Sequence, residues 1–274
     1  MNETRIKVIK PKTGFFDLGF SEIWAYKELL YFLVWKEVKI RYKQTVIGAA
    51  WAVLQPLFSA LIFTFLLGSF LKVPTDGIPY PAFAFTGLIL WTYFSNSVST
   101  SANSLIVNQN LVGKVYFPRA LIPLTPCVTA LLDYAIATVL LFGFLMVFHV
   151  AITPMVLLLL LPIALTALLA SGLALWVSAI DVKYRDVGYI VPFFIQMLLF
   201  ATPILYASSL IPKAYEWVIY INPLSGLLSL QRGIFLGTSI DWTLVGVSTV
   251  LAFAVFFTGM IYFRHYEKEI ADVI

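Results

Sequence analysis

Lys36, Lys39, Arg41 and Lys43 crowd together directly ahead of a long apolar run, in the stretch WKEVKIRYKQTVIGAAWAVLQP (35–56). Basic side chains in that position can give charge-assisted hydrogen bonds to an anionic headgroup, Arg41 bidentately. They can equally do no more than set topology and attract anionic lipid, at about 1 kcal/mol per basic residue. Asp133 is the one carboxylate within an apolar span. Charge at that depth usually faces an interior or a watery path. Asp133 is therefore either a conduit or polar-network residue, or a hydrogen-bonded packing residue beside Tyr134. The run SNSVSTSANS (95–104) offers small hydroxyl and amide groups, suited to close helix packing or to a hydrophilic passage. Phe83, Phe85, Trp91, Tyr93 and Phe94 in the same span suit an interfacial aromatic belt, or rings lining a passage for the apolar faces of sugars.

Catalytic chemistry has little to stand on. Cys127 is the only cysteine, which excludes an intramolecular disulfide and a cysteine metal cluster. His149 and His265 are expected at opposite membrane faces and share no metal with a carboxylate pair. Gly113–Lys114 lacks the earlier glycine and the following Ser or Thr of a phosphate-binding loop, so the chain is not expected to hydrolyse nucleotide alone. We find no nucleophile elbow or acidic cluster, and expect neither enzymatic activity nor a cofactor in this chain.

The elements that must carry these residues follow from composition. Of the 274 residues 61% are hydrophobic and 12% charged, against about 25% charged in soluble domains. Runs of roughly 20 apolar residues recur, each long enough for a hydrocarbon core of about 30 Å, and too continuous for barrel strands. This predicts an all-α integral membrane protein with six transmembrane helices near 46–71, 82–106, 120–148, 155–180, 187–207 and 242–263. With both ends cytoplasmic, only Lys72, Lys213 and Arg232 of the 18 Lys and Arg lie outside. The positive-inside rule thus supports six spans. The net charge of +4 is read as topology rather than as nucleic-acid binding.

Four parts are expected. Residues 1–20 form a polar cytoplasmic segment broken by Pro11 and Gly14, with no cleavable signal peptide. Residues 21–45 form an interfacial amphipathic helix opened by Ser21 as N-cap. At 100° per residue Ile23, Tyr26, Leu30, Leu33 and Val34 gather on one side, and Glu28, Lys36, Lys39 and Lys43 on the other. The stripe is imperfect: Phe32 sits among the charges, and Glu37 and Arg41 sit opposite them. Residues 46–263 form the six-span body, and 264–274 a cytoplasmic tail. Within the body, the inner loop 107–119 is expected to hold a short exposed helix with an apolar knuckle at Tyr116–Phe117, unless it is an ordinary polar turn. The outer segment 208–241 is cut by Pro212 and Asn222–Pro223 into pieces too short to span. Asn222 can cap a second helix with Pro223 at its first position. A re-entrant hairpin over 209–236 fits, with Arg232 paired to Glu216 or to an anionic ligand. Asp181, Lys183, Arg185 and Asp186 in the turn DVKYRD are expected as solvated charges anchoring the interface, or as a docking point for a cytoplasmic partner.

The runs KEVKIRYKQTVIGAAWAVLQP, NQNLVGKVYFPRALIPL, DVKYRDVGYIVPF and TPILYASSLIPKAYEWVIYINPLSGLLSLQRGIFLG, in this order over nearly the whole chain, resemble the permease subunits of polysaccharide-exporting ABC transporters. These are the O-antigen, teichoic acid or capsule type of the type-two export superfamily. The resemblance implies a homodimer in the cytoplasmic membrane, two copies of a separate ATPase that binds ATP and magnesium, and a lipid-linked polysaccharide as cargo. It makes the helix near 21–43 the gate helix, where a polyprenyl pyrophosphate would meet Lys36, Lys39, Arg41 and Lys43; Arg41 and Lys43 are expected to recruit the pyrophosphate. Asn108, Gln109, Asn110, Lys114, Tyr116, Phe117 and Arg119 become the coupling contact with the ATPase. Phe85, Trp91, Tyr93, Phe94 and Asp133 are channel candidates; Tyr215, Trp217, Tyr220 and Arg232 belong to the outer gate. Export of a drug or small lipid, a membrane enzyme acting on a lipid-linked saccharide, and a proton-coupled transporter using Asp133 are the rival readings.

Overall fold

The computed structural model describes residues 20–43, 50–150 and 154–273, and the polar segment expected over 1–20 lies, except for Phe20, outside them. The described chain is helical, with no strand among the described residues. A short α1 (Phe20–Ala25) and α2 (Lys27–Lys43) follow each other across a single turn residue, Tyr26. Because α1 already includes Phe20, Ser21 sits in its first turn and is not the N-cap.

The membrane body is built from α3 (Ala50–Phe63), which runs on into a π-helical stretch (Thr64–Phe70), α4 (Tyr80–Ala102), α7 (Leu121–Val147), α8 (Leu160–Lys183), α9 (Val187–Ala201) and α12 (Trp242–Val273). Between α4 and α7 lie α5 (Ser104–Val107) and α6 (Gln109–Lys114); before α12 come α10 (Glu216–Ile221) and α11 (Pro223–Leu236). Four stretches are long and apolar enough to cross a membrane: Val53–Phe70, Leu121–Val147, Pro154–Lys183 and Trp242–Glu267. The other two expected spans coincide with α4 and α9. The 23 residues of α4 end in the serine-rich run, which dilutes its hydropathy. α9 has only 15 residues, about 22 Å at 1.5 Å per residue. It stops short of the expected 207 because Thr202 precedes Pro203, and a residue before proline is driven into extended backbone; Thr202 has φ −96° and ψ 138°.

α4 is the hub. Most of its residues are buried, and it packs on α3, α7, α8, α9 and α11. The most extensive contact joins α8 and α12. It depends on glycine: a Cβ on Gly172 would stand 2.6 Å from Phe256 Cα, and Gly259 lies against the Gly172 carbonyl. Small residues let helix backbones approach this closely, the usual device where lipid removes any hydrophobic drive to associate. Trp176 stacks on Tyr262 at 4.1 Å beside that crossing.

The buried residues form two apolar clusters. The larger fills the membrane body. The smaller lies at the end that carries α1–α2, the inner end in the expected topology, and gathers Ile23, Tyr26 and Leu33 of α1–α2 with Leu105, Val112, Phe117 and the ends of α8 and α12, including Phe263. The N-terminal helix and the inner loop are therefore seated on one common core.

Candidate functional site

The imperfect stripe of α2 is where its polar contacts with the membrane body concentrate. Its covered side turns Glu37 and Arg41 toward α7, while Lys36, Lys39 and Lys43 stand exposed with Trp35. Arg41 Nη1 is ion-paired with Asp133 Oδ2, and the Tyr42 hydroxyl donates to Asp133 Oδ1. Arg41 Nη2 lies 3.8 Å from Glu37, and Glu37 accepts a 3.1 Å hydrogen bond from Thr129. Five side chains on two helices thus form one latch. Burial pushes the Glu37 carboxyl above its ordinary 4.5, with Arg41 and the Thr129 bond opposing that rise. Burial and the hydrogen bond to Asp133 likewise raise the Tyr42 phenol.

Asp133 is accordingly a polar-network residue whose two oxygens are both engaged. Behind it runs a small cleft lined by Pro56, Ile89, Thr92, Tyr93, Asn96, Ala130, Asp133, Tyr134 and Ala137. The serine-rich end of α4 serves two sides. Ser97, Ser101 and Ser104 are buried, and Ser101 bonds the Pro123 carbonyl of α7 at 2.7 Å. Thr92 and Asn96 face the cleft. The rings of Phe85, Trp91, Tyr93 and Phe94 are buried in the larger core, from 0 to 9% exposed, with Phe85 stacked on Phe144 and Tyr93 edge-on to Tyr134.

The inner loop holds the expected short helix, α6. Gln109, Asn110, Lys114, Val115 and Tyr116 are exposed, and Asn108 is half-buried with its amide on the Ser104 carbonyl. Phe117 is buried at 4% exposure. The exposed knuckle is therefore Val115–Tyr116, because Phe117 is drawn into the inner core. Arg119 turns away from the loop's free face: its backbone N–H donates to Glu267 Oε1 at 3.0 Å, and its guanidinium to the Glu267 carbonyl at 2.5 Å.

The DVKYRD turn corrects an expectation. Asp181 is not a solvated charge but is buried at 1% exposure, accepting the Gly188 N–H at 2.6 Å, while Lys183, Arg185 and Asp186 stay exposed. The carboxylate caps the start of α9 across the turn.

At the outer end Asn222 caps α11 as its sequence implies, accepting from Leu224 N–H with Pro223 at the first position, and its amide also donates to Thr202 at 2.7 Å. Tyr215 and Trp217 are exposed and Tyr220 half-buried. Arg232 pairs with neither Glu216 nor solvent. It is buried over the Phe83 ring, 3.6 Å from the centroid, and donates to the carbonyls of Pro203 (2.6 Å) and Ile204 (2.5 Å). Those carbonyls lie in the non-helical stretch after α9, and the guanidinium supplies the donors its backbone lacks. Beside it Gln231 donates to the Thr86 carbonyl and accepts from Tyr134.

Sequence reasoning missed Glu22, Arg264 and Glu267. Arg264 donates to Glu22 at 2.7 Å and to Glu267 at 2.5 Å, joining α1 to the end of α12. The only signal was the density of charge at both ends of the chain.

Comparison with known proteins supplies the context. Residues 28–236 match the ABC-2 type transporter family. The chain is 33% identical over 223 residues to an O-antigen export system permease protein of Myxococcus xanthus, covering 78% of this chain and 82% of that one. An O-antigen export system permease protein of Klebsiella pneumoniae is 27% identical over 248 residues, 90% of this chain and 95% of the relative. A polysialic acid transport protein of Escherichia coli is 25% identical over 203 residues, 72% and 77% of the two chains. With most of its length matched, this chain belongs to the ABC-2 type transporter family of membrane proteins.

Proposed function

We propose that the chain is the permease subunit of an exporter that moves a polyprenyl-pyrophosphate-linked polysaccharide out across the cytoplasmic membrane. Two copies line the path, each with six spans and both termini in the cytoplasm, and two copies of a separate ATPase drive it. The observation that carries this reading is the N-terminal helix α2 latched to a span through Arg41–Asp133, in a chain whose relatives over most of its length are named O-antigen export system permease proteins. Lys36, Lys39 and Lys43 present exposed ammonium groups where an anionic headgroup would arrive, and Arg41 can exchange Asp133 for a phosphate once the headgroup is close. The exposed residues of 108–116 are the contact with the ATPase. A ligand moves such an equilibrium only by binding its two states differently, and a pyrophosphate that competes for Arg41 does so.

Reconstitution with the co-purifying ATPase tests this. Polyprenyl-pyrophosphate glycan should stimulate ATP hydrolysis and be translocated, and Lys36→Ala, Lys39→Ala and Lys43→Ala together should abolish the stimulation while basal hydrolysis persists. Stimulation by small amphiphiles but not by the glycolipid would assign the chain to small-molecule export instead.

A further inference from the structure

The polar groups at the inner end form a chain of contacts that the gate and the loop, taken separately, do not require. Glu267, on the last turns of α12, accepts the Arg119 backbone N–H through one carboxylate oxygen and Arg264 Nη1 through the other. Arg264 Nη2 then reaches Glu22 on α1. The Arg119 guanidinium closes back on the Glu267 carbonyl. Glu267, Arg264 and Glu22 keep 17%, 29% and 23% of their side chains exposed, so the pairs are shielded enough to hold and wet enough to rearrange. Beneath them the inner core packs Phe117 and Val112 of the loop with Ile23, Tyr26 and Leu33 of α1–α2.

From this geometry we infer that Glu267 is the positioning residue that transmits movement of the 107–119 loop to the N-terminal helix, with Arg264 and Glu22 as the onward links. The inference rests on the reading of the chain as an ATPase-driven permease. Force applied at the exposed Val115–Tyr116 knuckle reaches α7 through Arg119. It also passes to α2 through the Arg41–Asp133 pair and the shared inner core; the Glu267 link adds α12, and with it α1, to that path. The carboxylate of Glu267 holds the Arg119 backbone rigidly, since a backbone N–H has no rotamer freedom, and α12 carries the displacement to α1. The helix that admits cargo is thereby moved by the same stroke that moves the spans.

The test uses the permease in complex with its co-purifying ATPase, with Cys127→Ser and nitroxide labels at the exposed positions Trp24→Cys and Trp217→Cys. In otherwise native protein, ATP binding should shift the distance between labels. Glu267→Ala should abolish that shift and lower export per ATP hydrolysed by at least about fivefold, the lower range for coupled sites, while ATPase turnover persists. Glu267→Gln, which still accepts the Arg119 N–H, should fall between. Glu22→Ala removes the acceptor for Arg264 at the relay's far end, away from the loop, and should reproduce the uncoupling even if Glu267→Ala fails to assemble. Glu28→Gln, exposed at the start of α2, should change nothing. A shift retained in Glu267→Ala or Glu22→Ala, or export and hydrolysis falling in parallel, overturns the relay and leaves the permease reading standing. No shift in the native sequence overturns both.

Discussion

The inner and outer ends of this protein solve the problem of holding a polar group against a span in opposite ways. At the inner end the groups that tie α1 and α2 to the body are charged side chains facing charged side chains: Arg41 with Asp133, Arg264 with Glu22 and Glu267. At the outer end Arg232 meets backbone carbonyls, and Gln231 and Asn222 are likewise tied to backbone groups of Thr86 and Leu224. A guanidinium that keeps 29–30% of its side chain exposed, as Arg41 and Arg264 do, can leave its carboxylate for another anion or for water at modest cost. A carbonyl in a buried, non-helical stretch has no such alternative. The contrast teaches that the inner latch is suited to exchanging partners, whereas the outer network is a fixed clasp holding the 202–207 stretch and α11 as one unit.

The hardest blow to this contrast comes from Arg232. Arg232→Met keeps the packing over Phe83 but strips two buried carbonyls of their donors, and should destabilise the protein by about 3 kcal/mol, since each orphaned group costs roughly 1–3 kcal/mol. Thermal unfolding in detergent micelles reads this. Arg232→Lys should recover only part, because a single ammonium lacks the guanidinium fork. Asp133→Ala should cost less, about 1–2 kcal/mol, because the abandoned Arg41 keeps 30% of its side chain exposed and can turn to water or lipid phosphate. Its effect should be local: faster amide exchange in α2 with little change in global melting. If Asp133→Ala proved as destabilising as Arg232→Met, the division into exchangeable latch and fixed clasp would collapse.

How legible each end was depends on the reach of the interactions. The Asn222–Pro223 cap is local, so the residue types and their order sufficed to place it. Asp133 stood out because carboxylates inside spans are rare, but its partner Arg41 lies 92 residues away. Only the flaw in the α2 stripe, with Glu37 and Arg41 on the apolar side, hinted that those charges faced protein. Tyr93 and Phe94 show the converse limit: an aromatic ring in a span reads the same whether it lines a passage, forms a belt or fills the core, and here both are buried while Tyr93 also borders the cleft beside Asp133. Arg232 was expected to pair with Glu216 or with an anionic ligand; the fold gives it instead the carbonyls of Pro203 and Ile204, 29 and 28 residues away. The Glu22–Arg264–Glu267 relay was hidden for a different reason, since charges near the chain ends are indistinguishable from topology signals.

Two smaller perturbations sharpen the comparison from each side. On the outer side Asn222→Ala removes the α11 cap and the Thr202 bond together and should cost about 1 kcal/mol, visible as a lowered melting temperature without change at α2. On the inner side Glu37 provides the gentlest probe, through pH. Burial raises its carboxyl above 4.5 when α2 is docked, with Asp133 adding to the rise and Arg41, Thr129 and Lys36 opposing it. The docked helix therefore binds a proton more tightly than the released helix. Docking is strongest below about 4.5 and weakens as pH climbs through the docked value, the direction required when the released state holds fewer protons. Glu37→Gln keeps an acceptor for Thr129 and removes this titration. The mobility of a nitroxide at the exposed Lys39→Cys should rise with pH across that window in the native background and stay flat in Glu37→Gln. A slope that survives the substitution would mean that another group sets the pH response of the latch. A slope that vanishes would show a carboxylate there tuning how readily α2 lets go, a freedom the carbonyl-bound clasp at the outer end lacks.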